Sequence, residues 1–267
     1  MSIQNDIRSK IIHKKLDLIF SEFNKYKIKF WLDGGGLLRY WRGNEIYGAS
    51  DFDIGTEILN LSKILILCKN LEKKGFKITL QNNFPFFCDL IKVYFPKPVE
   101  HKNLDIYLYY KNNKELFRPS IHKPRLENLL TKILFKLLNN HKLNKSINLI
   151  LFNIYMKTSK FLMHSIPLKH FKYDIKSVNY NGLVFGIPKN LNSYLEYRYG
   201  NKWRKFNKDW NASDGKFLRI RKLNMKIKFY YSKNFNFRNF KVPQVKRNYK
   251  FKFSNTQKKK IISLDEK

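Results

Sequence analysis

The chain has 267 residues and carries 54 Lys+Arg against 20 Asp+Glu, a formal net charge of +34. Apolar residues make up 43% of it and aromatics 16%, enough to bury a real core, so wholesale disorder is excluded despite the charge. No apolar run reaches the roughly 20 residues of a spanning helix, and the N-terminal stretch never clears its charges to form a signal-peptide core.

The only two cysteines, Cys68 and Cys88, form no CxxC pair, which excludes a zinc ribbon or a disulfide scaffold. A reducing, cytoplasmic location is expected. Length fits one main domain, residues 1–211, with a basic, aromatic extension over 212–267. From Lys216 onward there are 17 Lys+Arg and 2 acids, a net of +15, so the charge is densest at the C-terminal end without being confined to it. Abundant Lys, Asn, Ile and Phe together mark a compositional bias that accounts for much of this charge. A basic groove nonetheless attracts polyphosphates, whether nucleotide-linked or RNA.

Taken in order, residues 7–24 place Ile11, Ile12, Leu16, Ile19, Phe20 and Phe23 at helical spacing. A short strand is expected at 27–32, then a glycine triplet, a helix start at 36–42 and a strand at 50–55. Residues 61–74 read as a helix closed by Gly75. Three apolar runs at 76–80, 90–94 and 104–109 read as strands, and 125–140 and 146–162 as helices. A strand at 184–187 and a helix at 191–199 ending at Gly200 come next. After Gly215 periodicity fades. Strands and helices alternating around glycine turns predict a mixed α/β (α+β) domain.

The segment FWLDGGGLLRYWRGNEIYGASDFDIGT carries the chemistry. A strand, the triplet Gly34, Gly35 and Gly36, then a helix start is an arrangement that holds phosphate, because glycine lets the backbone approach an anion and helix N–H groups point at it. Asp51 and Asp53 follow in a strand, where residues two apart share a face. Adjacent carboxylates repel unless a cation joins them, and Mg²⁺ or Mn²⁺ suits hard oxygen ligands beside phosphates. Asp105, an acid in the apolar run LDIYLYY, is expected either to face the other two or to pair with a lysine, since a buried lone carboxylate is costly. A DxD by itself is commonly edge protection or a helix cap. Its place after a glycine turn and before a third strand Asp is what points to metal-assisted phosphoryl transfer.

These residues resemble the LicD/fukutin/fukutin-related-protein group. WLDGGGLLRYWRG followed by DFDIG is similar to that group's first block, LDIYLYY to its apolar Asp strand, and IPKNLNSYLEYRYGNKW to its C-terminal block. Together they span about residues 28–211. The resemblance implies a polymerase-β-like nucleotidyltransferase core, a mixed sheet flanked by helices with a helical middle region. It implies that Gly35 and Gly36 cradle donor phosphates and that Arg42 neutralises the diphosphate. Asp51 and Asp53 would hold the metal, with Asp105 as third ligand or as general base. The implied reaction moves a phospho-alcohol of the phosphocholine or ribitol-phosphate kind from a CDP-alcohol donor to a glycan or glycolipid acceptor. Gly36 stands where the group has Ser/Thr, Arg39 where it has Gly, and Ala49 where some members have a first Asp.

Two other readings compete. One is a nucleotidyltransferase using NTP on RNA or a small molecule; the other is a basic binding protein with a degenerate site. Nucleic acid ranks behind the CDP-alcohol as a partner, and the basic tail suits peripheral contact with an anionic membrane. The six histidines show no ligand spacing and are expected at the surface. Cys68 is expected in the core, Lys189 in solvent, and Tyr199, Gly200 and Trp203 closing the last helix onto the core.

Overall fold

The computed structural model describes residues 3–44, 46, 52–84, 87–99, 102–111, 113–119, 160–171, 174–205 and 218–222, with isolated helical positions at Ile133, Ile150, Leu151 and Ile154. The chain opens with α1 (Ile3–Lys25), whose Ile12, Leu16, Ile19, Phe20 and Phe23 form a buried stripe at three- and four-residue spacing. Strand β1 (Phe30–Asp33) runs directly into α2 (Gly34–Trp41). Next come β2 (Phe52–Glu57) and α3 (Leu61–Lys73), beyond whose end lies Gly75 at φ +87.

Strands β3 (Lys77–Phe84) and β4 (Phe87–Tyr94) form an antiparallel hairpin that leads to β5 (Asn103–Lys111). Beyond lie β6 (Glu115–Pro119), β7 (Lys160–Pro167), β8 (Ile175–Tyr180), β9 (Leu183–Pro188), α4 (Leu191–Tyr199) and β10 (Leu218–Lys222). The strands make one mixed sheet in the order β10-β7-β6-β5-β2-β1-β9-β8, with β4 also paired to β5 and β3 to β4. The pairs β2–β5 and β1–β9 are parallel, the others antiparallel. The fold is thus the mixed α/β class expected, a mixed sheet flanked by helices.

Alternation sorts the central strands into two faces. Phe30 and Leu32 of β1, Phe52 and Ile54 of β2, and Leu104, Ile106 and Leu108 of β5 point one way and are all buried. On that face Phe20 and Phe23 of α1 pack on Phe30, and Phe20 also on Phe185. The opposite face carries Trp31, Asp33, Asp53, Gly55, Asp105, Tyr107 and Tyr109, and with them the candidate site.

Several expectations are corrected. Residues 160–162, read as the end of a helix, belong to β7, because they pair with Ile220, Arg221 and Lys222 of β10 and run straight into residues 163–167, which pair with β6. The helix expected at 125–140 lies outside the described residues apart from Ile133, and that at 146–159 apart from Ile150, Leu151 and Ile154, all helical. His170 is not at the surface but 3% exposed, wedged beside the rings of Tyr194 and Tyr197. The C-terminal extension contributes β10 to the sheet through β7; residues 223–267 lie outside the described residues. Among the described residues no helix is long and apolar enough to cross a membrane.

Candidate active site

Everything in the site hangs on the corner where β1 becomes α2. Asp33 is the N-cap of α2, extended at φ −131 and ψ −179, and its Oδ1 accepts the Gly34 N–H at 2.8 Å. Gly34 turns the chain at φ +56, in the left-handed region that favours glycine. A Cβ at that position would stand 1.9 Å from Asp53 Oδ2, so the glycine is required twice, once by its backbone and once by the carboxylate packed against it. The glycine turn and the acidic strand are therefore in contact, and Gly34 is the residue that makes that contact.

Register then sets the acids in one row. Asp33 pairs with Asp53 across β1–β2, Asp53 with Asp105 across β2–β5, and Asp105 with Lys92 across β5–β4. Residues paired in this way present their side chains on the same face. Asp53 and Asp105 are thus neighbours. Asp51 lies outside the described residues, and so does its relation to Asp53. Asp105 is 5% exposed; Lys92 Nζ lies 2.7 Å from its Oδ2, and Asn103 Nδ2 donates to its Oδ1 at 2.5 Å. Of the two alternatives anticipated for this acid, the lysine pair is observed; it also lies beside Asp53 in register, while Asp51 is outside the described residues. Among the described residues no group of three or more His, Cys, Asp or Glu side chains is arranged to hold a metal ion.

Asp33 is a member of the row that the sequence pattern does not single out. It is fully buried and accepts from Tyr194 OH at 2.5 Å, Tyr109 OH at 3.1 Å and Arg198 Nη1 at 2.9 Å, besides the Gly34 N–H. Burial, reinforced by the Asp33 charge, pushes the Tyr109 hydroxyl up to about 12 and that of Tyr194 well above its usual value, so both stay protonated and donate. Burial by itself would lower the Arg198 guanidinium, but Asp33 foremost among its neighbours holds it well above its usual value. This carboxylate is a structural anion. The one available signal was its position, the N-cap slot just before a glycine-initiated helix.

Tyr107 lies next to Asp105 on the same face and carries the Arg118 guanidinium over its ring at 3.9 Å. Burial, then the charge of Asp53, raises its hydroxyl well above the ordinary range. Trp31 closes the floor of the site. A Cβ on Gly55 would come within 2.3 Å of its indole, so Gly55 is set by this close approach.

The remaining candidates sit elsewhere on α2 and beyond it. Gly35 is exposed, with no atom within 4 Å of a would-be Cβ, whereas Gly36 is buried with Leu32 at 3.2 Å and serves the packing of α2 on β1. Arg42 caps the far end of α2, about 12 Å from the glycine turn at 1.5 Å per residue. Its Nη2 donates to the carbonyls of Trp203 at 3.1 Å and Lys205 at 3.4 Å, and Trp41 meets Trp203 edge-on at 4.4 Å. The structure thus gives Arg42 a tethering place rather than one at the glycine turn. Trp203 is buried and Lys189 exposed, as expected.

No protein-family model matches the chain, and no curated protein matches it. Among solved structures it is similar to the lincosamide antibiotic adenylyltransferase LnuA bound to lincomycin, with a TM-score of 0.40 and 14% identity over 75% of this chain and 90% of that one. A likeness so distant decides nothing about substrate.

Proposed function

We propose that this chain is a metal-assisted transferase that moves a phospho-alcohol from a nucleotide donor, a CDP-alcohol, to a hydroxyl acceptor of glycan type, breaking the diphosphate bond so that CMP leaves as the acceptor oxygen bonds to phosphorus. The observation that carries the reading is the glycine turn at Gly34 pressed against Asp53, itself in register with Asp105. Two hard-oxygen donors side by side, beside a corner with no room for a side chain, suit Mg²⁺ or Mn²⁺ together with a phosphate. Asp53 would hold the ion with Asp51, and Asp105, already paired with Lys92, would be the neighbouring acid of the row. Such an ion neutralises the charge that builds on the transferred phosphoryl oxygens.

The residues present do the rest by positioning. The exposed Gly35 at the start of α2 leaves backbone open for a donor phosphate. Trp31, Tyr109 and Tyr194 are buried beside Asp33 and shield that end of the row from water. The CDP-alcohol version draws support from the way the sequence blocks behind the resemblance meet. Arg198 of the last block binds Asp33 of the first, and Trp203 packs edge-on against Trp41.

The test is calorimetric titration of the full chain with CDP-choline, CDP-ribitol, CTP and ATP, each with Mg²⁺. The reading expects binding of a CDP-alcohol that Asp53→Asn abolishes without changing the melting temperature by more than a few degrees. Binding of ATP or CTP alone would move the assignment to NTP-dependent nucleotidyl transfer. No binding by a folded protein would sink both.

A further inference from the structure

The row of charges has a cation built into each end. At one end Arg198 closes on Asp33; at the other Lys92 closes on Asp105, with the ammonium 17% and the carboxylate 7% exposed. Lys92 is not a surface lysine that happens to bend inward. It leaves β4 at the position paired with Asp105, on the same face of the sheet. The second oxygen of Asp105 is taken from its own strand by Asn103, two residues earlier on the same face. Asp105 therefore has a cation on one oxygen and an amide donor on the other.

Carboxylates shared between two metals must offer an oxygen to each. For Asp105 to do so here, a short ion pair shielded from water has to break, leaving an ammonium without its counter-charge in a poorly hydrated place. The middle member, Asp53, is placed differently. Its carboxylate lies against the Gly34 corner, where a donor phosphate would come.

On the reading given under the proposed function, we propose that Lys92 is a built-in counter-cation that takes the place of a second metal. The site then binds a single divalent ion on the Asp53 side, and Asp105 is kept as a lysine-neutralised neighbour. Lys92 is a positioning residue in this account. It fixes the charge and orientation of Asp105 and so sets how many divalent ions the acids accept.

The experiment counts ions directly. Mn²⁺ is titrated into the full-length protein and free Mn²⁺ is read by electron paramagnetic resonance, for wild type, Lys92→Met, Lys92→Gln and Lys92→Arg. The expected result is one tight Mn²⁺ in wild type and in Lys92→Arg, where the fixed charge is kept. Lys92→Met or Lys92→Gln should take up a second, because Asp105 is released, and Mn²⁺ should raise their melting temperature more than that of wild type. Two tight ions in wild type would overturn the proposal whatever the variants do, and so would a folded Lys92→Met or Lys92→Gln that still binds one. No tight Mn²⁺ in any form, with folding intact, would instead overturn the metal-assisted reading on which the proposal rests.

Discussion

Arg198 Nη1 lies 2.9 Å from Asp33 Oδ1, a contact that joins the last described helix to the first turn of the site across 165 residues of chain. The guanidinium is 10% exposed and the carboxylate not at all. Helix α4 thereby holds the strand-to-helix corner from behind while Asp53 presses on it from the side. The glycine turn is thus held by long-range packing as well as by its own local sequence.

Removing one partner of that pair leaves the other as a buried, uncompensated charge, which typically costs about 3–5 kcal/mol. Arg198→Met is expected to lower stability by that order. Arg42→Ala, which loses hydrogen bonds to two carbonyls at a less buried site, should cost only about 1 kcal/mol per bond. The double variant Asp33→Asn/Arg198→Met should be less destabilised than the sum of its singles, since neither charge is then left alone. Urea unfolding of wild type and these variants measures all of this. A near-silent Arg198→Met would show that the pair does not hold the corner.

Gly34 and Gly35 adjoin in sequence and should answer substitution in opposite ways. Gly34→Ala forces a side chain into the left-handed region, at about 1–2 kcal/mol, and drives its Cβ into the Asp53 carboxylate. A fall in melting temperature together with loss of donor binding is expected. Gly35→Ala meets nothing in the protein and replaces glycine within a helix, worth about 0.5–1 kcal/mol of added stability. If Gly35 faces the donor phosphate, that more stable variant should still bind CDP-alcohol more weakly. Unchanged affinity in Gly35→Ala would remove Gly35 from the phosphate cradle and leave the role to Gly34.

The sequence is a good guide wherever the signal is local. The stripe of α1, the stop at Gly75 and the span of α4 come from spacing and caps, and the neighbouring placement of Asp53 and Asp105 comes from strand alternation once β2 and β5 pair. The hidden features are set by partners far away. Asp33 goes unnoticed in the sequence, and its place is set only when Tyr109, Tyr194 and Arg198 are brought to it from three places in the chain. Arg42 reads as a phosphate ligand until Trp203 and Lys205 offer it carbonyls. Strand β7 begins inside a helix-like pattern because pairing with β10 outweighs the propensity of residues 160–162. His170 reads as a surface residue until Tyr194 and Tyr197 close over it.

That buried histidine makes stability depend on pH in a range where few other groups titrate. The imidazole stacks near Tyr197 at 4.9 Å, its Nδ1 shares a 2.9 Å hydrogen bond with Ser193 Oγ, and Nε2 has no hydrogen-bond partner among the described residues. Burial first, and then the charge of Lys169, pulls its pKa from 6.5 down to about 4. The unfolded chain therefore takes up a proton near pH 6.5 while the folded chain resists until about pH 4. Between those values the unfolded state binds more protons, so this contribution is complete above about pH 6.5 and is lost as the pH falls toward 4. Glu22 and Asp174, whose hydrogen bonds hold their carboxyl groups below the usual range, add losses of the same sign only at lower pH. Between about pH 7 and about pH 5 these two carboxyl groups contribute little, and comparison with a His170 variant isolates the share of that ring. Wild type should lose stability on the order of 1 kcal/mol over that interval. His170→Asn, which offers Ser193 a polar partner that does not titrate, should lose markedly less. Equal urea-midpoint shifts in the two proteins would mean that the ring is hydrated, and that Tyr194 and Tyr197 do not seal it.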